Sequence, residues 1–207
     1  MTELIMSGLF PVGVGQKELD NPLSSEEINF LYSYKNKTRR NHGNNFTFDT
    51  YILDNPILKN LKENLEKVTK EYIVAIYQND DINIHITQSW LNFNNPGDYH
   101  HMHHHTNSII SGVYYVETND DDKLNFFREN LPLFELSKNG NFNAYTASSW
   151  WLPVKKNSVI LFPSNTRHSV DTNNSNKVRI SLAFNTFLSG KIGEEYQINE
   201  LIIGDKK

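Results

Sequence analysis

The run Val178-Arg179-Ile180-Ser181-Leu182-Ala183-Phe184-Asn185 decides the fold. Its apolar residues Ile180, Leu182 and Phe184 fall at every second position, with Arg179, Ser181, Ala183 and Asn185 between them. Successive side chains of a strand point to opposite faces, so this is a strand with one face turned to a core. The other face does not look like a solvent face, which draws long charged side chains. A guanidinium, a hydroxyl and an amide among small residues suit the lining of a polar cavity. The mouth or interior of a small β-barrel is a common place for such a site.

Working outward, period-two segments continue upstream. Ile82, Ile84 and Ile86 alternate with Asn83, His85 and Thr87, and further strands are expected over 89–94, 99–105, 109–117, 124–127, 144–152 and 159–163. Turn signals separate them: Asn95-Pro96-Gly97-Asp98, Asn119-Asp120-Asp121-Asp122, Asn139-Gly140-Asn141 and Asn173-Asn174-Ser175-Asn176. The first third of the chain reads differently. Residues 9–14 suggest a short opening strand. Ser24-Ser25-Glu26-Glu27 has the form of a capping box, so a helix through Ile28, Leu31 and Tyr32 should follow. Lys35 to Arg40 then reads as a solvated helix end whose cations complement the dipole. Asn55-Pro56 starts a second helix. Leu58, Leu61, Leu65, Val68, Tyr72 and Ile76 give it one apolar stripe. Helices first, then many strands, predict an α+β, mainly β jelly-roll arrangement with the N-terminal helices packed on one antiparallel sheet. The 207 residues are expected to form one domain: 1–80 as helical support, 81–190 as the β core and 191–207 as an extension.

Chemistry concentrates in histidine. His100, His101, His103, His104 and His105 are clustered, and His168 stands far downstream, shortly before Arg179. Imidazole is the commonest side-chain ligand of divalent iron, zinc and copper. A regular strand would aim His101, His103 and His105 one way and His100 and His104 the other. Facial iron sites take a same-side pair from one strand plus a distant histidine, leaving positions open for cosubstrate and oxygen. His103 and His105 with His168 fit that pattern. His101 with His103 is the alternative pair, and Asp98 is the nearest upstream carboxylate. His85 and His100 are read as structural or exposed. Arg179 suits a bidentate grip on a carboxylate. Trp150 and Trp151, adjacent on a strand, face opposite ways, so at most one reaches the cavity. The segments 119–122 and 134–142 are expected as loops over its mouth.

Composition narrows the classes. Net charge is −4 and the pI near 6.1, so no global basic footprint for nucleic acid is present. The absence of cysteine excludes disulfides, thiolate clusters and a cysteine nucleophile. No basic n-region with a long apolar stretch opens the chain, and no apolar run has membrane-spanning length, so a cytoplasmic protein without a membrane partner is expected.

Several pieces, in order, resemble a family. Trp90-Leu91-Asn92, Gly97, His103-His104-His105-Thr106-Asn107-Ser108 and Ser111-Gly112-Val113-Tyr114-Tyr115-Val116 are similar to the small, phage- and bacteria-associated 2-oxoglutarate/Fe(II)-dependent oxygenases of the prolyl-hydroxylase-like superfamily. Leu161-Phe162-Pro163-Ser164, His168-Ser169-Val170 and Arg179-Ile180-Ser181-Leu182-Ala183-Phe184-Asn185 continue the likeness. The resemblance implies a cupin-like double-stranded β-helix that binds Fe(II) and 2-oxoglutarate and oxidises a substrate, typically by hydroxylation, as 2-oxoglutarate is decarboxylated to succinate. It implies His103, His105 and His168 as metal ligands. It implies Arg179, Ser181, Tyr115 and Asn92 as cosubstrate contacts. The departure is His105, which stands where the superfamily has Asp or Glu, so the metal site is one charge unit more positive, and either iron is held less tightly or the site favours another metal. Two other readings stay open: a cupin-like three-histidine metalloprotein or dioxygenase that does not use 2-oxoglutarate, and a binding module without turnover. The substrate, small molecule or peptide, is not legible. The N-terminal helices offer a face for a homodimer, and a phage-encoded chain would work in the host cytoplasm.

Overall fold

The computed structural model describes residues 4–130, 134 and 143–204. The chain opens with β1 (Gly15–Glu18) and α1 (Ser25–Tyr32), continues through β2 (Thr38–Arg40) and β3 (Asn45–Thr47), and then makes two 3-10 turns, Ile52–Asp54 and Pro56–Leu58, ahead of α2 (Lys59–Tyr77). Strands follow: β4 (Asn83–Asn94), β5 (His100–His103), β6 (Ile110–Glu117), β7 (Lys123–Phe127), β8 (Ser149–Pro153), β9 (Ser158–Pro163), β10 (His168–Val170), β11 (Arg179–Ile192) and β12 (Leu201–Ile203).

Among the described residues the strands form two sheets. The larger runs β1-β9-β6-β11-β4-β3-β2, with β12 on the end of β11; the smaller runs β5-β10-β7-β8. From β4 to β11 the chain passes back and forth between them, β7 and β8 forming a hairpin within the smaller sheet, and every strand pair is antiparallel. That winding is a double-stranded β-helix, with its eight strands from β4 to β11 shared between two facing sheets.

Two apolar layers hold it together. α2 lays Leu61, Leu65, Val68 and Tyr72 on the outer face of the large sheet, against Leu91, Phe93, Ile180, Leu182 and Phe184. Between the sheets, Tyr115, Leu124, Phe126, Ile160 and Phe162 form the second layer. β9 serves both, because Val159 and Leu161 face the helices while Ile160 and Phe162 face the smaller sheet. Its unbroken apolar sequence is that of a strand buried on both faces. Gly112 lies opposite Phe184 in the β6–β11 pair, and a Cβ there would sit 2.1 Å from the Phe184 ring, so that close approach needs glycine.

The N-cap expectation at α1 is met in full. Ser24 Oγ accepts from Glu27 N–H at 3.2 Å, and Glu27 Oε2 accepts from Ser24 N–H at 2.8 Å. Other expectations need correction. Residues 9–14 form no strand; pairing begins at Gly15, opposite Leu161. The basic run is not a helix end. α1 stops at Tyr32, and Thr38 to Arg40 form β2, with Arg40 ion-paired to Asp98 at 2.8 Å and Arg39 over the Phe46 ring. Ile76 is 45% exposed although it shares the α2 stripe, and its side chain lies beside Gly13 of the incoming chain. The two strands expected over 82–94 are one strand, since Thr87-Gln88 contains no turn former. A bulge there sets one more residue in β4 than in β11.

Candidate metal centre

His103 and His168 face each other directly across the β5–β10 pair, with ring centroids 4.3 Å apart. His105 lies just past β5, where its N–H donates to Ser164 O at 2.8 Å. One ring nitrogen from each of the three lies within 4.8 Å of the others, so the trio could hold one metal ion. His101 is not in it. Its Nδ1 lies 3.3 Å from His42 O and its ring packs edge-on against His42. Asp98 is occupied by Arg40 and by Asn95 N–H, and no carboxylate joins the trio among the described residues.

The second nitrogen of each ring is fixed. Nδ1 of His103 lies 2.8 Å from His101 O, Nδ1 of His168 lies 2.9 Å from Thr166 O, and Nδ1 of His105 lies 2.6 Å from Asn185 Oδ1. Each partner is an acceptor, so each Nδ1 must carry the proton. Every Nε2 is left with its lone pair, the tautomer a metal requires. Burial keeps the rings neutral. It pushes His103 down to about 4 and His168 to about 3, reinforced by neighbouring imidazoles, and it lowers His105 as well. Trp90 stacks on His105 with centroids 5.7 Å apart.

His100 is the surprise of the cluster. Its ring stacks on His103 at 4.3 Å and lines the same cavity. Strict alternation would put these two on opposite faces. The pairing explains the difference: His168 faces His103 and Val170 faces His100, so β5 holds one residue more than β10 over this stretch. The resulting bulge turns His100 inward and His101 outward.

The cavity runs from the trio to Arg179, past Ser181, Tyr115 and Asn92. Arg179 is 4% exposed, and its donors are partly committed: Nη1 to Asp122 Oδ1 at 2.6 Å and Nη2 to Asp171 O at 2.9 Å. A guanidinium has five N–H donors, so three remain. Tyr115 is paired opposite Ser181 and is 4% exposed; burial pushes its hydroxyl pKa up, with Arg179 opposing and Asp122 adding to the rise. Asn92 Oδ1 accepts from Asn44 Nδ2 at 3.1 Å. Asn94, opposite Arg179 in the sheet, also lines the cavity, and its buried Nδ2 has no hydrogen-bond partner among the described residues.

Sequence reasoning missed His100, Asn94 and Asp122. Asn94 was within reach, two residues beyond Asn92 on the same strand face. Nothing singled out Asp122 among the acids of its turn. That turn is no free flap either, since Asp122 is 7% exposed and its Oδ2 accepts from Asn119 N–H at 2.8 Å. Except for Phe134, the segment 134–142 lies outside the described residues. Trp150 pairs with Phe126 and shares its face, whereas Trp151 turns out over Lys123.

Comparison with known proteins agrees with this geometry. Residues 88–185 match the family model described as "Putative 2OG-Fe(II) oxygenase". No curated protein matches the chain. A 2OG-Fe(II) oxygenase family oxidoreductase from Burkholderia pseudomallei has a similar fold, with TM-score 0.55 and 13% identity over 83% of this chain and 84% of that one. The epimerase SnoN in complex with Fe3+, alpha ketoglutarate and nogalamycin RO gives 0.59 and 12% over 85% and 79%. A prolyl-4-hydroxylase from Pseudomonas putida gives 0.53 and 12% over 84% and 92%. In sequence over residues 88–185 and in fold over most of its length, the chain is similar to 2OG-Fe(II) oxygenases.

Proposed function

We propose that the protein hydroxylates a C–H bond of an organic substrate, using Fe(II) held by His103, His105 and His168 and 2-oxoglutarate held toward Arg179. The observation that carries this is the trio itself: three neutral imidazoles, each with Nδ1 tied to an acceptor and Nε2 free, gathered within 4.8 Å. That donor set fits a divalent first-row metal. Once bound, the metal and its cosubstrate supply oxygen activation coupled to the decarboxylation of 2-oxoglutarate to succinate. The chain supplies orientation and dryness. Asn185 and the carbonyls of His101 and Thr166 lock the ring planes. Arg179 offers its remaining donors to a carboxylate, with Asn94, Ser181, Tyr115 and Asn92 around it. Phe126 and Phe162 pack against His168 and keep water from its far side.

The test is succinate formation from 2-oxoglutarate by protein reconstituted with Fe(II) under air, compared with Arg179→Ala. Succinate that depends on both additions, with a raised 2-oxoglutarate requirement in the variant, supports the reading. A second reading is a three-histidine metalloprotein that takes its substrate directly and ignores 2-oxoglutarate. It is favoured by the missing carboxylate ligand and by the Arg179–Asp122 pair. Indifference to 2-oxoglutarate selects it, and binding of metal and 2-oxoglutarate without turnover leaves a binding module.

A further inference from the structure

We propose that Asp122 is a charge-compensating positioning residue of the cavity, supplying beside Arg179 the one negative charge that a three-imidazole trio withholds from the metal. The inference rests on the reading of this cavity as a seat for a divalent metal and 2-oxoglutarate. It begins from a charge count. A divalent cation bound by two imidazoles and one carboxylate keeps one net positive charge. An arginine at the far end makes two, and a dianionic keto acid cancels both. In this chain the trio is neutral, so the metal keeps both charges and Arg179 adds a third. A dianion would leave one positive charge uncompensated in a dry cavity, where unpaired charge is costly. Asp122 cancels it.

The placement of Asp122 agrees with that role. Its Oδ1 lies 2.6 Å from Arg179 Nη1, and the two side chains are 7% and 4% exposed. It comes from the turn between β6 and β7, not from the strand that carries Arg179. Its other oxygen is held by Asn119 N–H, so it cannot swing away without losing a second bond. The nearby charges Lys123 and Asp171 lie 3.3 Å apart at the surface and cancel each other. A buried ion pair adds little to stability compared with apolar residues of the same volume. Its position at the end of a ligand cavity gives it a different use.

A structural prop and a charge compensator predict opposite results for Asp122→Asn, which keeps an oxygen facing Arg179 and removes the charge. The measurement is calorimetric titration of Zn(II)-loaded protein with 2-oxoglutarate and with 2-oxopentanoate, the same keto acid without the distal carboxylate. Wild type should prefer 2-oxoglutarate. Asp122→Asn should bind 2-oxoglutarate about tenfold tighter, with a steeper salt dependence, while 2-oxopentanoate changes less. Asp122→Glu, which restores the charge, should return both affinities toward wild type. Unchanged or weaker 2-oxoglutarate binding in Asp122→Asn would show that the carboxylate only props the arginine, and the proposal fails. A wild-type protein that does not distinguish the two keto acids fails at the earlier step, the reading of the cavity as a 2-oxoglutarate seat. Melting curves establish that each variant folds, and Asp122→Ser carries the same comparison if Asp122→Asn does not.

Discussion

Asn185 Oδ1 lies 2.6 Å from Nδ1 of His105, and the same oxygen accepts from Ser111 Oγ at 3.0 Å. Ser111 Oγ in turn lies 2.8 Å from Ser164 Oγ, while the Ser164 carbonyl receives the N–H of His105. Two strands, β6 and β11, and the turn after β9 thus converge on one imidazole. Such outer contacts fix the ring and its tautomer, and their loss typically lowers metal affinity about 10- to 100-fold. Asn185→Ala should therefore bind Zn(II) or Co(II) more weakly by about that factor while its melting temperature moves little. Competition with a chelator of known affinity measures the first and thermal unfolding the second. An unchanged metal affinity would remove Asn185 from the site.

The β5 bulge separates two histidines that a regular strand would put on one side. His103 faces His168, whereas His101 is turned to His42. His103→Ala should abolish stoichiometric metal binding, and His101→Ala should leave it within about twofold of wild type. Metal analysis of the two variants after dialysis against excess Zn(II) decides. Equal losses would mean that the alternative pair, His101 with His103, takes part.

How much of this was legible depended on whether the signal was periodic. The β11 alternation gave both the apolar underside and the cavity face, because Ile180, Leu182 and Phe184 do pack under the helices while Arg179, Ser181 and Ala183 do line the cavity. The capping box placed α1 for an equally local reason. Bulges defeated the same logic. One inserted residue in β5 reversed the faces of His100 and His101, and nothing in His100 to His105 marks where it falls. Partners distant in sequence were out of reach as well. The Asp122–Arg179 pair spans a separation of 57 residues, and only the double winding of the sheets brings the two together.

Asn94 offers a trade between stability and binding. Its Nδ2 is buried without a partner among the described residues, and an unsatisfied buried donor costs about 1–3 kcal/mol. Asn94→Leu, close in shape and without the amide, should raise the melting temperature of the metal-free protein and weaken 2-oxoglutarate binding. Keeping an unsatisfied polar group for a ligand is a common form of such a trade. Thermal unfolding beside calorimetric titration tests both halves. A variant that is less stable and binds normally would show that the amide serves the fold alone.

Acid should unfold the metal-free protein through its histidines. In the unfolded chain each titrates near its ordinary value of about 6.5. In the folded chain burial holds His103 at about 4 and His168 at about 3, with His105 also lowered. Above about pH 7.5 both states are almost uncharged at these rings, and stability hardly changes with pH through them. Below about 6.5 the unfolded state takes up protons that the native state refuses, so stability falls with pH until the folded values are reached. A ring that protonates only on unfolding contributes a slope of at most about 1.4 kcal/mol per pH unit, and His103 and His105, only half-buried, contribute less than His168. Denaturant melts at pH 7.5, 6.0, 5.0 and 4.5 should therefore show a steady loss. His168→Gln, which leaves no titrating ring at this buried position, should lose less over the same range, whatever its starting stability. Parallel pH profiles for wild type and His168→Gln would show that the ring is solvated and that the trio is not the dry, neutral cluster its packing describes.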